Sequence, residues 1–291
     1  MRDSNFYYFR RFVKWKLGDK SPIVASLKIT QRCNLRCTHC SWKNKITEEL
    51  PTKRWKEVIQ DVLDRWCKVV VFEGGEPTLR ADLQELIEYS SNLGLKSIVV
   101  TNGTQDLTKI TPNRIWISVE GEKDVHDLIR GKGTFKKIMQ TIEKNRNKNI
   151  ITLTTISKTN VNDIEKICET FSGRVQGFIF NFLYPYKDIK EVALTNGEKR
   201  ETAERLLELR KKFRILNSVS YLKAVGTRWK CYPQLLISAT ADGKFSESCM
   251  VGHLESCNCQ LCDMSCYAEL AHAMNLKLNG WKSFSYAAGL P

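Results

Sequence analysis

The chain has 291 residues, of which 42% are hydrophobic and 27% charged, a composition typical of a folded globular protein and unlike that of a disordered or fibrous one. No apolar run approaches the roughly 18 residues of a membrane-spanning helix, and the first residues lack the apolar core of a signal peptide, so we predict a cytoplasmic protein. A net charge of +14 fits a nucleic-acid, anionic-lipid or acidic partner, but the basic residues are dispersed along predicted helices, which argues against nucleic acid.

The N-terminal segment, residues 1–22, combines basic residues with aromatic and apolar ones. The latter are Phe6, Tyr7, Tyr8, Phe9, Phe12, Val13 and Trp15. Such a segment fits contact with a membrane surface. It also fits closure of the bottom of the folded domain, which is the interpretation we favour.

Short β-rich runs alternate with amphipathic helical runs between residues 24 and 185. The six predicted strands are VASLKIT, KVVVFEG, KSIVVTNG, RIWISVEG, IITLTTIS and GFIFNFLYP. Helices are predicted at 55–66, around 83–89, and in TFKKIMQTIEKNRNKN and DIEKICETF, where apolar residues recur at helical spacing. This alternation predicts an α/β fold with a parallel sheet, a partial (β/α)6 TIM-like barrel over residues 23–214.

The loop after the first strand, TQRCNLRCTHCSW, places Cys33, Cys37 and Cys40 in a Cys-x-x-x-Cys-x-x-Cys spacing. A closed zinc or iron–sulfur site takes four protein ligands, so three thiolates leave one coordination position open for a substrate or cofactor. Eleven cysteines without a secretory signal favour metal binding or catalysis over disulfides. A structural zinc site is the alternative interpretation of this loop.

Polar residues and glycines follow the other predicted strands. The second strand is followed by Gly74, Gly75 and Glu76 in EGGEPTLR, and the third by the turn TNGT. The segment after the fourth strand offers Ser118, Glu120, His126, Asp127 and Arg130. Because the active site of a parallel βα barrel forms at the C-terminal ends of its strands, we expect these groups to meet at one rim.

The pattern changes after residue 186. A polar helix is predicted in NGEKRETAERLLELRKKF, and a smaller module follows at residues 215–291, with a hairpin turn at ADGKF. Its six cysteines are Cys231, Cys249, Cys257, Cys259, Cys262 and Cys266. The two other cysteines, Cys67 and Cys168, are interpreted as buried apolar residues without a chemical role.

Three motifs in order resemble those of the radical S-adenosylmethionine (radical SAM) superfamily, SPASM/twitch-type branch: CNLRCTHC its cluster loop, GGEP its SAM-binding turn, and ISVEGEKDVHDLIRGKGTF its fourth-strand segment. The similarity covers about residues 24–185. It implies a [4Fe-4S] cluster on Cys33, Cys37 and Cys40, whose open iron binds the methionine part of SAM. It further implies reductive cleavage of SAM to a 5′-deoxyadenosyl radical that abstracts hydrogen from a substrate.

The resemblance also implies which residues bind the methionine part of SAM. Gly74 and Gly75 belong to the SAM-binding turn, and Gly75 and Glu76 would meet the methionine amino group. Arg130 would bind the methionine carboxylate. The alternative interpretations are ordinary turn glycines and a surface charge.

The nucleoside part of SAM is assigned in the same way. Ser118 would contact the ribose and Leu183 the adenine. His39 occupies a position before the third cysteine that is usually aromatic in the family and lies near the adenine, so histidine is a mild departure. Ser118 has a structural alternative as the cap of a strand, and His126 and Asp127 match the family pattern in a structural role.

The cysteine-rich tail resembles SPASM or shorter twitch modules, which hold auxiliary [4Fe-4S] clusters. Its Cys-x-Cys-x-x-Cys-x-x-x-Cys spacing is tighter than the full SPASM pattern, and six cysteines are fewer than is usual there. The resemblance therefore implies at least one auxiliary cluster, and leaves open a second cluster and the choice of ligands. A zinc ribbon is the alternative.

As an enzyme of this kind, the protein would need an electron donor such as flavodoxin or ferredoxin. Its substrate could be a peptide or a small metabolite or lipid, and the motifs do not distinguish these classes. The 22 residues before the first strand are too few for a leader-peptide recognition domain, so a peptide substrate would need a separate carrier. The alternative function is a non-catalytic iron–sulfur or zinc protein that binds nucleic acid through a basic surface. GGEP and SVEGEKDVHDLIRG favour the enzyme, because a binding module has no need of a SAM pocket.

Overall fold

The computed structural model describes residues 2–40, 48–246, 249–253, 257–275 and 278–288. All six predicted strands are confirmed. They are β1 (Val24–Thr30), β2 (Val69–Gly74), β3 (Lys96–Thr101), β4 (Arg114–Ser118), β5 (Ile150–Ile156) and β6 (Phe178–Phe182). Each strand pairs in parallel with the next along the chain, as when Val24 lies opposite Val69 and Ile115 opposite Ile150. All six C-terminal ends therefore lie along one edge of the sheet.

Helices alternate with these strands along the chain. They are α2 (Thr52–Asp64), α3 (Leu83–Asn92), α4 (Lys123–Arg130), α5 (Thr134–Lys144) and α6 (Ile164–Phe171). Of these, α4 was not predicted, and α5 ends five residues before the predicted run does. The partial TIM-like barrel predicted from the sequence is confirmed.

Successive residues of each strand face opposite sides of the sheet. Leu27 belongs to the core shared with the helices, where it is grouped with Trp55 of α2. Val24 and Val69 face the inner, concave side and pack in a second core with Leu270 from the tail. The inner side of the barrel is thus closed by the C-terminal part of the chain.

The sheet continues beyond the six predicted strands. β7 (Leu236–Ala239) pairs in parallel with β1, and β8 (Phe245–Ser246) runs antiparallel to β7. The predicted hairpin at ADGKF is confirmed: Gly243 has φ +75° and its N–H donates to the Thr240 carbonyl at 2.7 Å. Because β7 extends the barrel sheet, the tail is not structurally separate from it, and the domain boundary at residues 214/215 stays a prediction.

Four helices complete the C-terminal part: α7 (Asn196–Leu209), α8 (Val219–Leu222), α9 (Ser265–Met274) and α10 (Leu278–Ala287). The polar helix predicted from residue 196 is confirmed as α7. It begins with a capping box in which Thr195 and Glu198 satisfy each other's backbone N–H groups. Cys67 and Cys168 are fully buried, as predicted.

The first helix, α1 (Arg2–Lys16), packs one of its faces on the domain. Trp15 is buried there and meets Tyr232 edge to face, with 5.0 Å between ring centroids. Arg11 is also buried and pairs with Asp19 at 3.0 Å. These contacts fit the favoured interpretation that the segment closes one end of the domain.

Phe9, on the opposite face of α1, and Leu17, directly after the helix, are 66% and 82% exposed to solvent. The predicted aromatic side chains of Phe6, Tyr7 and Tyr8 lie outside the described residues. Membrane-surface contact by this segment stays a prediction. Within the described ranges, no helix is both long and apolar enough to cross a bilayer.

Candidate functional site

A cavity of about 270 Å³ opens where strands β1 to β6 end. Each of these strands, or the loop that follows it, contributes side chains to its wall. All but one of the predicted residues of the barrel site line it: Cys33, Cys37, His39, Cys40, Gly74, Gly75, Ser118, Arg130 and Leu183. The exception is Glu76. The residues that line the cavity therefore lie together at one rim, whereas Glu120, His126 and Asp127, also expected there, do not line it.

The cysteine loop after β1 is held by hydrogen bonds to neighbouring elements. The Thr38 N–H donates to the Ile129 carbonyl in α4 at 3.0 Å. The side chain of Asn34 accepts from the Asn102 amide, which follows β3, at 2.9 Å. The positions of the cysteines are thus determined by elements distant in sequence.

Gly74 and Gly75 allow the turn after β2 to approach the same loop. Gly74 has φ +142°, and a Cβ there would lie 2.2 Å from the Thr30 carbonyl oxygen. A Cβ on Gly75 would lie 2.2 Å from the Arg32 carbonyl oxygen. Only glycine permits so close an approach of two backbones. The two glycines therefore allow the cysteine loop to lie against the turn after β2.

The thiols of the loop influence one another electrostatically. Burial raises the pKa of the Cys33 and Cys37 thiols, and the neighbouring thiols raise it further. The Arg130 guanidinium opposes this effect, because its Nη1 lies 4.0 Å from the Cys37 Sγ and favours the thiolate. The chain thus supplies a buried cation next to three potential anionic ligands.

This donor set fits a [4Fe-4S] cluster, which takes one thiolate on each of three irons and keeps the fourth iron open. A zinc ion would need its ligands to converge on one point. In the part of the chain that the structure describes, no three His, Cys, Asp or Glu side chains meet closely enough to hold a single metal ion.

Glu76 points into the protein. Its carboxylate accepts hydrogen bonds from the Thr101 hydroxyl and the Asn102 N–H, both at 2.7 Å, and from the Thr78 N–H at 3.1 Å. Burial raises its pKa in spite of these bonds. Direct contact of Glu76 with SAM stays a prediction, and the hydrogen bonds show that it joins the ends of β2 and β3.

Glu120 is the central acidic group of the site, and its side chain is fully buried. Its Oε1 accepts from Nη2 and Nε of Arg130 at 2.6 and 3.1 Å, and its Oε2 accepts from the Thr155 N–H at 3.0 Å. The Nε2 of His39 lies 3.7 Å from the same carboxylate. Burial opposes ionisation of Glu120, but Arg130 and His39 outweigh it and lower the pKa.

Arg130 is accordingly a buried cation and not a surface charge, since its side chain is only 11% exposed. Burial works against its charge, but Glu120 raises the pKa of the guanidinium. Two of its nitrogens are held by Glu120, which directs Nη1 towards the cysteine loop. Sequence reasoning noted Glu120 after β4 but gave it no role; its position at the end of a strand was the available signal.

Three further residues of the cavity wall were also missed. Glu73 lies on β2, and Tyr184 and Tyr186 directly follow β6. The two tyrosine rings meet at 4.9 Å, and the Tyr184 hydroxyl accepts from the Asn258 N–H at 2.8 Å. Tyr184 therefore connects the cavity to the cysteine-rich tail. Ser118 was predicted because it is a polar residue at the end of a strand, and the same criterion would have found both tyrosines.

His126 and Asp127 have structural contacts. The Nδ1 of His126 accepts from the Glu120 N–H at 3.2 Å, and burial lowers the pKa of this imidazole to about 4, so it is neutral at pH 7. Asp127 accepts from the N–H groups of Gly133 and Phe135 at 2.7 and 2.8 Å. These bonds fit the structural role expected for both residues.

The thiols of the six tail cysteines lie near one another. Cys257 Sγ lies 4.0 Å from the sulfur of Cys249 and 3.9 Å from that of Cys259. Burial raises the pKa of Cys231 to about 12 and of Cys262 to about 11, and neighbouring tail thiols add to both shifts. The pKa of Cys266 is also raised, by burial and by Cys262. Neutral thiols crowded in this way fit a metal cluster that would take up their thiolate form.

The tail is fixed to the barrel by a buried ion pair. Lys199 of α7 lies 3.0 Å from Asp263, and its ammonium also donates to the Leu261 carbonyl at 2.7 Å. The Trp229 indole N–H donates to the Cys262 carbonyl at 3.1 Å. The backbone that carries the cysteines is thus positioned by α7 and the segment after α8.

Comparison with known proteins agrees with this geometry. A family profile described as the Radical SAM superfamily matches residues 27–171, about half of the chain. The Fe-coproporphyrin III synthase of Methanosarcina barkeri (strain Fusaro / DSM 804) is 32% identical over 211 residues, which are 67% of this chain and 53% of that protein. The sporulation killing factor maturation protein SkfB of Bacillus subtilis (strain 168) is 31% identical over 180 residues, 58% of this chain and 44% of that protein.

The fold is shared with a solved structure, that of Streptococcus suis SuiB bound to S-adenosylmethionine. The two superpose with a TM-score of 0.68 over 79% of this chain and 60% of that one, at 13% sequence identity. The chain spans about half the length of the curated relatives it matches. Three cysteines on one loop, the close glycine turn after β2 and the match along β1 to α6 agree with one another: the chain belongs to the radical SAM superfamily.

Proposed function

We propose that this protein is a radical SAM enzyme that cleaves SAM reductively and abstracts hydrogen from a substrate. The observation that carries the proposal is the convergence of Cys33, Cys37, Cys40 and the buried Arg130 on one cavity at the C-terminal ends of β1 to β6. When bound, a [4Fe-4S] cluster supplies the electron that cleaves the carbon–sulfur bond of SAM. The remaining tasks belong to the protein, which holds the ligands, orients SAM and limits access of water.

The cavity wall offers cationic, hydroxyl, apolar and imidazole side chains. Arg130, held by Glu120, presents a cation suited to the methionine carboxylate beside the cysteine loop. Ser118 lies at the end of β4, where its hydroxyl suits a ribose. Leu183 and His39 add apolar and imidazole surfaces suited to adenine. These roles rest on the family resemblance together with the presence of all four side chains in one cavity.

Substitution of Arg130 tests the orientation of SAM. We expect Arg130→Lys to weaken SAM binding and Arg130→Ala to weaken it by about ten- to a hundred-fold, the effect of losing a buried charge-assisted hydrogen bond of about 1.5 to 3 kcal/mol. Lysine keeps the charge but loses the planar two-pronged donor. Titration of SAM against the electron paramagnetic resonance signal of the reduced cluster measures the change.

The iron content of both Arg130 variants should equal that of the wild type, because the cysteine ligands are untouched. Arg146→Ala, at an exposed arginine in the turn after α5, is the control and should bind SAM normally. Wild-type affinity in Arg130→Ala would remove Arg130 from the SAM site.

We further propose that the tail holds at least one auxiliary [4Fe-4S] cluster. The six neighbouring thiols support this, since four ligands complete such a cluster. We expect the reconstituted wild type to contain more iron and sulfide than one [4Fe-4S] cluster, and the triple variant with alanine at Cys33, Cys37 and Cys40 to retain a cluster. Wild-type iron sufficient for one cluster only, with zinc in the tail, would contradict the proposal and indicate a zinc ribbon.

The electron donor is proposed to be flavodoxin or ferredoxin. Arg228 and Lys230 are exposed beside Cys257 and Cys259, at an open cavity on the surface of the tail. A basic rim next to thiols that would ligate a cluster suits an acidic electron carrier. A cytoplasmic location is supported by the eleven cysteines, all of which are free thiols.

The substrate class is a peptide or a small molecule. The relatives point to both, since SkfB is named as a maturation protein of a killing factor and the M. barkeri protein as a porphyrin synthase. The comparisons give no support to the alternative of a non-catalytic nucleic-acid-binding protein.

A further inference from the structure

A second cavity, of about 240 Å³, lies inside the barrel. We name it the inner chamber. Its wall is built from inward-facing residues of β1 to β6, among them Val71 and Trp116, and from residues of α9 and α10. It shares Glu73, Val100, Asn181 and Met264 with the cavity at the strand ends. A molecule in the chamber would therefore reach the wall of the proposed SAM site.

A carboxylate with one unpartnered oxygen faces this largely apolar chamber. Glu269 of α9 lines it, and the residue is only 9% exposed. Its Oε1 accepts from the Ser218 N–H at 2.7 Å, whereas its buried Oε2 has no hydrogen-bond partner among the described residues. Burial raises the pKa of this carboxyl to about 7. A buried polar atom without a partner costs free energy unless a ligand satisfies it.

The chamber offers no positive charge for this group. None of the described residues that line it is a lysine, arginine or histidine. Arg210 lowers the pKa of Glu269 only from a distance, and its own guanidinium donates to the carbonyl of Ile215 at 2.8 Å and to that of Asn217. When Glu269 is ionised, the described residues of the wall therefore supply no complementary charge, and a cationic ligand would supply one.

The second carboxylate of the chamber wall has a positively charged partner. Glu73, the second carboxylate of the wall, pairs with the buried Lys28 at 2.9 Å and also accepts from the Ser26 hydroxyl. Both contacts involve Oε1 of Glu73. Glu269 is thus the acidic group of the wall that lacks an ion-pair partner, and it lies on the tail side of the chamber.

We propose that the inner chamber binds the substrate as a small, mainly hydrocarbon group that carries an amine, with the ammonium paired to Glu269 and the hydrocarbon part against the apolar wall. This deepens the proposed function and rests on it, because the shared wall places the bound group next to the SAM site. The amine belongs either to a free small molecule or to a side chain of a peptide.

The volume of the inner chamber and the charge of its wall narrow the class of ligand further. An apolar cavity of about 150 Å³ holds a molecule the size of benzene, so the chamber has room for one ring or a short chain and not for a tetrapyrrole. A carboxylate ligand would meet the like charge of the ionised Glu269 without a cation to offset it. An amine would be charged at neutral pH and would supply the missing partner.

The test is calorimetric titration of the anaerobically reconstituted full chain, without SAM, with three probes of equal chain length: n-hexylamine, 1-hexanol and hexanoate. We expect the amine to bind most tightly and hexanoate least. Glu269→Gln keeps the acceptor for Ser218 but removes the charge, so it should weaken amine binding by about ten- to a hundred-fold and leave hexanol binding nearly unchanged. Glu208→Gln, at an exposed glutamate of α7, is the matched control.

A second variant, Val71→Phe, fills the chamber and should reduce binding of both hexylamine and hexanol. Equal affinity of hexylamine for the wild type and Glu269→Gln, or no binding of hexylamine at all, would overturn the proposal. A blocked pentapeptide with one central lysine, titrated in parallel, distinguishes the two sources of the amine: tighter binding than hexylamine indicates a peptide, and weaker binding a free small molecule.

The outcome is separable from that of the proposed function. Formation of 5′-deoxyadenosine in the same preparation reports on SAM cleavage, whereas the titrations report on the chamber alone. Cleavage of SAM without Glu269-dependent amine binding would refute the chamber proposal only. Amine binding without cleavage would refute the enzymatic proposal only.

Discussion

Cys37→Ala is expected to abolish formation of 5′-deoxyadenosine from SAM in the reconstituted, reduced protein. Each thiolate of the loop would be one of only three protein anchors for the cluster, and Cys37 Sγ lies 4.0 Å from Arg130 Nη1. Loss of this thiolate would leave one more iron without a protein ligand and would destabilise the cluster whose open iron would bind SAM. Chromatography of the reaction mixture measures the product, and iron analysis reports on the cluster.

The matched control is Cys67→Ala, at a fully buried cysteine in the core between sheet and helices. It removes a sulfur of the same type and should leave SAM cleavage intact, at a modest cost in stability. Continued 5′-deoxyadenosine formation by the triple variant of Cys33, Cys37 and Cys40 to alanine would show that this loop is not the cluster site.

Glu120→Ala is expected to weaken SAM binding and to lower the free energy of unfolding by about 3 to 5 kcal/mol, the typical cost of leaving a buried charge without its partner. Glu120 is fully buried and holds Arg130 through Oε1. Without it, the guanidinium loses both its ion pair and its orientation towards the cysteine loop. Urea denaturation of the reconstituted protein measures the stability, and SAM titration measures the site.

Glu143→Ala is the control for Glu120. Glu143 pairs with Arg146 at 2.8 Å on the surface, where both side chains are about half exposed, so its loss should cost about 1 kcal/mol or less. The pH dependence gives a second check. The pKa of Glu120 lies below its ordinary value of 4.5 in the folded protein, so its stabilising contribution is complete above that value and is lost as the pH falls through the lower folded pKa. Equal unfolding free energies for the two variants would contradict the role of Glu120.

The strands of the barrel could be predicted from the sequence because their signal is local. Buried parallel strands need near-continuous apolar runs, as in Val69–Gly74, and each run is bounded by turn residues. The location of the residues that follow each strand could also be predicted, since the parallel topology requires all C-terminal ends to share one edge. The shared edge alone is enough to predict that Cys33, Ser118 and Arg130 lie near one another.

The sequence did not predict strand β7, because β7 has no comparable local signal. Its run, Leu236–Ala239, has four residues and lies within a cysteine-rich segment that gives no alternating pattern. Its partner is β1, more than 200 residues earlier in the chain. A strand that short becomes recognisable only when the edge of a neighbouring strand is available to receive its hydrogen bonds.

The sequence by itself determined the alternating fold, the three-cysteine loop and the glycine turn, because each depends on residue types at short spacing. The tertiary structure alone decided that Glu76 joins β2 to β3 and that Glu120 holds Arg130. It also decided that Glu269 faces an apolar chamber without a partner. The partners of a buried carboxylate come from strands and helices distant in the chain, so the energy of the charge, and with it the role of the residue, depends on packing that no local pattern encodes.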